Sequence, residues 1–164
     1  MENTKQMTFP IWETVKIGTL GDYKTARARL ERASIRIGHI AERMLYEMAY
    51  ADHRAELDLV KVGLSYLIES AFTDVDEIYV KAGQYGLSLC PHEVAPQLWL
   101  QCPNQIPQDE GVLIAMHPIW CSESCCHEVF RLASQSGLQW LISRYGAAGD
   151  HWPSKASCIF VRER

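Results

Sequence analysis

Val112-Leu113-Ile114-Ala115-Met116 is a run of five apolar residues without alternation, and Ile159-Phe160-Val161 repeats the pattern near the carboxyl end. A strand with one wet face alternates polar and apolar side chains, so an unbroken run predicts inner strands covered on both sides. These runs belong to candidate strands over Val112–Ile119 and Ser157–Arg162, and three more are read at Gln97–Gln101, Glu128–Ala133 and Leu138–Ser143. Pro103 and Pro107, the Trp120–His127 stretch, Ser136-Gly137 and the Gly146–Pro153 stretch separate them. Short strands joined by short turns predict an antiparallel meander.

Upstream, Ile11, Val15 and Ile17 alternate with Trp12, Thr14 and Lys16, a short strand closed by Gly18. Asp22 stands where an N-cap belongs, and Tyr23, Ala26, Leu30, Ala33 and Ile37 follow at helical spacing. Ile40, Ala41, Met44, Leu45 and Met48 continue that period beyond Gly38, giving two helices or one helix kinked near Ser34–Gly38. Leu57, Leu59, Val60 and Val62 read as a strand ended by Gly63, and Thr73 with Asp76 approximates a capping box before a helix over Asp74–Tyr85. The fold class expected is α+β, with the N-terminal strand and helices packed on one face of a mostly antiparallel sheet of about five to six strands. One domain over 1–164 is expected, with 1–9 as a flexible N-terminal tail.

The 164 residues are 48% hydrophobic and 22% charged, which excludes a disordered or collagen-like chain and suffices for one core. No apolar run approaches the roughly 18 residues of a membrane span, and the first ten residues lack the apolar stretch of an export signal. A cytoplasmic protein with no membrane partner and six reduced cysteines is the expectation. The net charge of −4 divides into +2 over residues 1–50, eight Lys/Arg against six Asp/Glu, and −6 over the remainder, eight against fourteen. Neither part is a polybasic footprint, so nucleic acid is disfavoured as a partner.

Four stretches, Trp12-Glu13-Thr14-Val15-Lys16-Ile17-Gly18-Thr19, Glu56-Leu57-Asp58-Leu59-Val60, Tyr85-Gly86-Leu87-Ser88-Leu89-Cys90-Pro91-His92-Glu93-Val94 and Leu113-Ile114-Ala115-Met116, resemble a family of short bacterial proteins with no assigned activity. The resemblance spans most of the chain and implies a compact intracellular domain, with no catalytic residue to carry over. The family continues the Leu113 run with Glu-Pro, where this chain has His117-Pro118, and lacks the cysteine-rich stretch that follows here.

That stretch supplies the densest set of metal-ligating side chains, His117, Cys121, Cys125 and His127. Structural zinc sites pair ligands on Cys-x-x-Cys knuckles, and no such pair exists here, so no metal and no cofactor are expected. Catalysis by Cys90 with His92 would need a thiolate beside an imidazole, whereas Leu87-Ser88-Leu89 ahead of Cys90 predicts a buried, inert thiol. Glu93, between Pro91 and Pro96, is the single carboxylate best placed for acid–base work with His92, His117 or His151, and a helix cap is its bland alternative. Neither a dinucleotide nor a P-loop glycine motif occurs.

Arg29, Arg32 and Arg36 recur at helical spacing within the basic segment Lys24–Arg36 and would meet phosphates on one helix face, although Glu31 and Glu42 favour an ordinary solvated surface. Trp12, Trp99 and Trp140 sit on expected strands and read as core; Trp120 and Trp152 sit in expected loops, where exposed tryptophans mark binding surfaces, and Asp150 lies beside the second. The reading that results is a small non-catalytic binding or interaction module, with a protein partner or a second copy of itself. The alternatives are a small hydrolase or nuclease using Glu93 with a histidine, and a nucleic-acid-binding regulator using the basic helix.

Overall fold

In a computed structural model describing residues 8–164, the chain runs β1 (Glu13–Ile17), α1 (Tyr23–Arg32), β2 (Arg36–Ile37), α2 (His39–Glu47), β3 (Ala55–Gly63), β4 (Phe72–Asp74), α3 (Val75–Gly83), β5 (Leu87–Ser88) and α4 (Val94–Gln101). It continues with β6 (Gly111–Ile114), β7 (Ile119–Cys121), β8 (Cys126–Gln135), β9 (Leu138–Tyr145), β10 (His151–Pro153) and β11 (Ser157–Arg162). The class is α+β. Of the tail expected over 1–9, residues 1–7 lie outside those described; Phe9 sets its ring edge-on to Tyr85, centroids 5.7 Å apart, and accepts a hydrogen bond from Arg162.

The two unbroken apolar runs become neighbours in the middle of one sheet, where β6 and β11 pair in parallel with Leu113 beside Cys158. The order is β1-β3-β11-β6-β8-β9-β2, with β5 against β11 and β7 against β8, nine strands in all. The sheet is therefore larger than expected and mixed, since β2 also pairs with β9 in parallel. A meander fails here because the chain leaves β9, detours through β10, and returns to insert β11 between β3 and β6. β4 and β10 form a separate two-stranded ribbon.

The cover also differs from a one-face arrangement. Side chains alternate along β11, so Cys158 and Phe160 point to the face shared by Leu113 and Arg131. Tyr79 of α3 meets Phe160 edge-on at 6.2 Å and Trp152 of β10 at 5.8 Å, which places α3 and the ribbon on that face. Phe130 and Leu132 point the opposite way, both without exposed surface, into the layer where α2 and α4 contact β9 and β8. Strands apolar on both sides need cover on both sides.

Gln97–Gln101, read as a strand, is the second half of α4. Pro96 is tolerated because it lies in the first helical turn, where its missing N–H has no partner to lose. α1 and α2 are two helices: Ser34, at φ 62°, ends the first turn of chain reversal, and β2 then docks on β9.

Candidate functional site

Glu93 occupies the N-cap position of α4, but its side chain makes no cap hydrogen bond. Its Oε2 accepts from the Gly18 N–H at 2.6 Å and from Gln97 Nε2 at 3.1 Å, and the residue is fully buried. The ladder continues with Gln97 Nε2 donating to Thr19 Oγ1 and Gln101 bonded both ways to the Lys16 backbone, at 2.7 and 2.9 Å. Three polar residues at i, i+4 and i+8 thus fasten α4 to the end of β1, and Glu93 is neither a cap nor open to a substrate.

His92 is held differently. Nδ1 faces the Ala49 N–H at 3.4 Å and Nε2 faces the His117 carbonyl at 2.9 Å, so the ring accepts at Nδ1 and donates from Nε2. Burial pushes its pKa down and favours that neutral ring. Glu93 and His92 therefore turn to separate backbone partners, while His117 and His151 are exposed. Cys90 is buried, donates to the Ile159 carbonyl, and has its thiol pKa pushed up by burial, as an inert core thiol should.

The metal-ligating set lies on a hairpin instead of around a centre. Cys121 pairs with Cys126 and Trp120 with His127 across β7 and β8. Cys121 is buried, the Cys125 thiol donates to the Ser122 carbonyl, and the His127 ring sits 5.2 Å from Trp120. Among the described residues no three His, Cys, Asp or Glu side chains are placed to share an ion.

Trp120 is half exposed, but Trp152 has no exposed surface and donates from Nε1 to the Tyr145 carbonyl at 2.9 Å. Trp152 is core, because β10 delivers it beneath α3 and so removes it from any binding surface. The basic segment also divides: Arg29 and Arg32 close α1, whereas Arg36 belongs to β2 and lies over the Trp140 ring at 5.8 Å. Arg27 is taken by Glu42 at 2.7 Å and Glu31 at 3.3 Å. No single helix face presents the three arginines together.

What the fold does assemble is a cleft of about 740 Å³ at the open end of the β8–β9 hairpin, lined by Ile40, Ser124, Glu128, Tyr145, Asp150 and His151, with Arg144 also on its border. Glu128 and Tyr145 are cross-strand partners and share a face with Ser143 two residues along. Asp150 closes its own loop by accepting from the Ala147 N–H at 2.8 Å. Gly146 is required beneath it, since a Cβ there would strike the Val129 side chain. Glu128 is 3% exposed yet faces this cleft, and burial holds its carboxyl above the usual carboxylate range, with the Ser124 and Ser143 hydroxyls partly offsetting the effect and Asp150 adding to it. The sequence singled out Asp150, beside Trp152, and His151, as an acid–base partner, but not Glu128, whose position in an apolar strand, Glu128-Val129-Phe130, was the available signal. No protein-family model matches the chain, and no curated protein or solved structure matches it either.

Proposed function

We propose that the chain is a small-ligand binding module and that the Glu128 cleft takes a compact cationic group, an amine or a guanidine, carried on a short apolar stem. The observation that carries this is a carboxylate almost removed from water that still borders an open cleft, with Asp150 as a second acceptor beside it. Arg144 borders the same cleft but makes no ion pair with Glu128 among the described residues, and a ligand ammonium would supply the partner that a buried carboxylate lacks. Ile40 and the exposed ring of Tyr145 offer the stem an apolar wall. The hydrolase reading draws no support from Glu93 and His92, which are committed to backbone groups. The regulator reading draws none from Arg29, Arg32 and Arg36, which diverge.

Titration calorimetry with an alkyl diamine and an alkyl guanidine tests the reading. Saturable binding is expected for at least one, lost in Glu128→Gln and kept in Trp120→Ala. Because the cation needs the ionised carboxylate, affinity should fall as pH drops through a Glu128 pKa that lies above the ordinary range. Binding of neither probe, or equal binding by Glu128→Gln, defeats it.

A further inference from the structure

On the other face of the same hairpin, Arg131 and Arg144 are diagonal neighbours: Arg144 pairs with Val129, and Arg131 follows two residues along β8. With Lys155 and Ser157 they line a second cleft, of about 490 Å³. Arg144 and Lys155 are exposed and Arg131 is half buried, so two guanidinium groups and an ammonium border one small volume that water reaches, their mutual repulsion weakened but not removed by solvent. Among the described residues, none of the three cations has an ion pair: the acids take Arg27, Arg43, Lys61, Arg164 and two histidines. The two carboxylates on the rim are engaged elsewhere. Glu110 faces Lys61 at 3.8 Å, and Asp109 accepts from the Ser136 N–H at 3.4 Å.

The backbone leaves room for one of these side chains. Gly111 lies under the Arg131 guanidinium, where a Cβ would strike its Nη2 and Cζ, so this glycine lets the planar group lie across β6. Arg131 is half buried, and burial together with Arg144 pulls its pKa down.

We infer that Arg131, Arg144 and Lys155 form an anion site for the phosphate group of a small phosphorylated molecule. Guanidinium forks match the paired oxygens of a phosphate, and two of them with an ammonium fit a dianion. The volume is that of a small-molecule pocket. A long polyanion is disfavoured because Asp109 and Glu110 stand on the rim and the chain beyond residue 50 carries a net −6, eight Lys/Arg against fourteen Asp/Glu.

The test is calorimetric titration with inorganic phosphate, phenyl phosphate and a short single-stranded oligonucleotide. Saturable binding of phosphate and phenyl phosphate is expected, weakening as salt rises. Arg131→Met and Arg144→Met should each lower affinity about tenfold, the scale of one charge-assisted hydrogen bond. Glu128 does not line this cleft, so Glu128→Gln should leave binding unchanged, which separates this site from the acidic cleft that Arg144 also borders. Both arginine variants should unfold at the same temperature as the parent or higher, since a like-charge contact is relieved; a lower temperature would show Arg131 and Arg144 to be structural and overturn the assignment. Absence of saturable phosphate binding, insensitivity to both substitutions, or tighter binding of the oligonucleotide than of phenyl phosphate would each overturn it.

Discussion

At the β1 edge, Glu93, Gln97 and Gln101 turn one polar stripe of α4 onto the backbone of Lys16 and Gly18 and onto Thr19. On the β8–β9 hairpin, Glu128 points into one cleft while Arg131 and Arg144 border another, with no ion partner among the described residues. Both regions set charge against a sheet built from apolar strands, with Glu93 and Glu128 buried, Arg131 half buried and Arg144 exposed. In the first, Glu93 Oε2, Gln97 and Gln101 bond to the backbone of Gly18 and Lys16, to Thr19 and to one another, while Glu93 Oε1 is buried without a hydrogen bond, and the set holds a helix in place. In the second, the strand backbones are already paired with each other, and the charged groups are left to external partners.

The sharpest way to break this contrast is Gly18→Ala. Gly18 sits at φ 86°, and a Cβ would strike the His53 carbonyl, so the substitution displaces the N–H that Glu93 accepts from. A loss on the order of 3 kcal/mol is expected in urea unfolding. An unchanged midpoint would mean that the ladder does not anchor β1. Glu93→Ala should cost about 2–3 kcal/mol, because the Gly18 N–H and the Gln97 amide lose their buried acceptor. If thermal melting of this variant matched the parent, the carboxylate would not be the fastening that the geometry makes it.

The smallest effect should have the opposite sign. Burial places the folded pKa of Glu128 above its unfolded value, so the native state holds the extra proton, and the parent gains stability as pH falls through that folded pKa. At neutral pH the ionised Glu128 is a burden, and Glu128→Gln should raise stability by less than about 1 kcal/mol while abolishing that acid-side gain. His92, whose pKa is lowered by burial, works in the other direction: stability is lost as pH falls below its unfolded value. Melting curves of Glu128→Gln across the acidic range therefore isolate the carboxylate, and a destabilised variant at neutral pH would show that Glu128 is structural, like Glu93.

Much of the fold was legible. The alternation at Val15 and Ile17, the Asp22 cap that accepts from the Thr25 N–H, and the unbroken run at Ile159 are local patterns that became the elements they predicted, whereas the strand expected over Val112–Ile119 breaks after Ile114 and resumes as β7 at Ile119, with His117-Pro118 in the gap. Gln97–Gln101 was misread because an apolar Leu98-Trp99-Leu100 run has no period of its own; the i, i+4, i+8 recurrence of Glu93, Gln97 and Gln101 was the helical signal. Short pieces such as β2, β4, β5 and β10 were illegible, since two or three residues carry no pattern and exist only where a neighbouring strand offers hydrogen bonds. Trp152 failed for the same reason: residue type predicted a loop surface, and β10 carried the indole under α3.

Sequence alone determined that this chain has inner strands apolar on both sides, a first helix capped by Asp22, and no helix among the described residues long and apolar enough to cross a membrane. These follow from burial preference and local periodicity, which each segment carries within itself. Tertiary structure decided which charges are spent and which are free. Glu93 and Glu128 are the same residue type beside apolar neighbours, and only the return of β11 between β3 and β6, which fixes strand order and with it every side chain's face, puts one against the Gly18 N–H and the other at the mouth of a cleft.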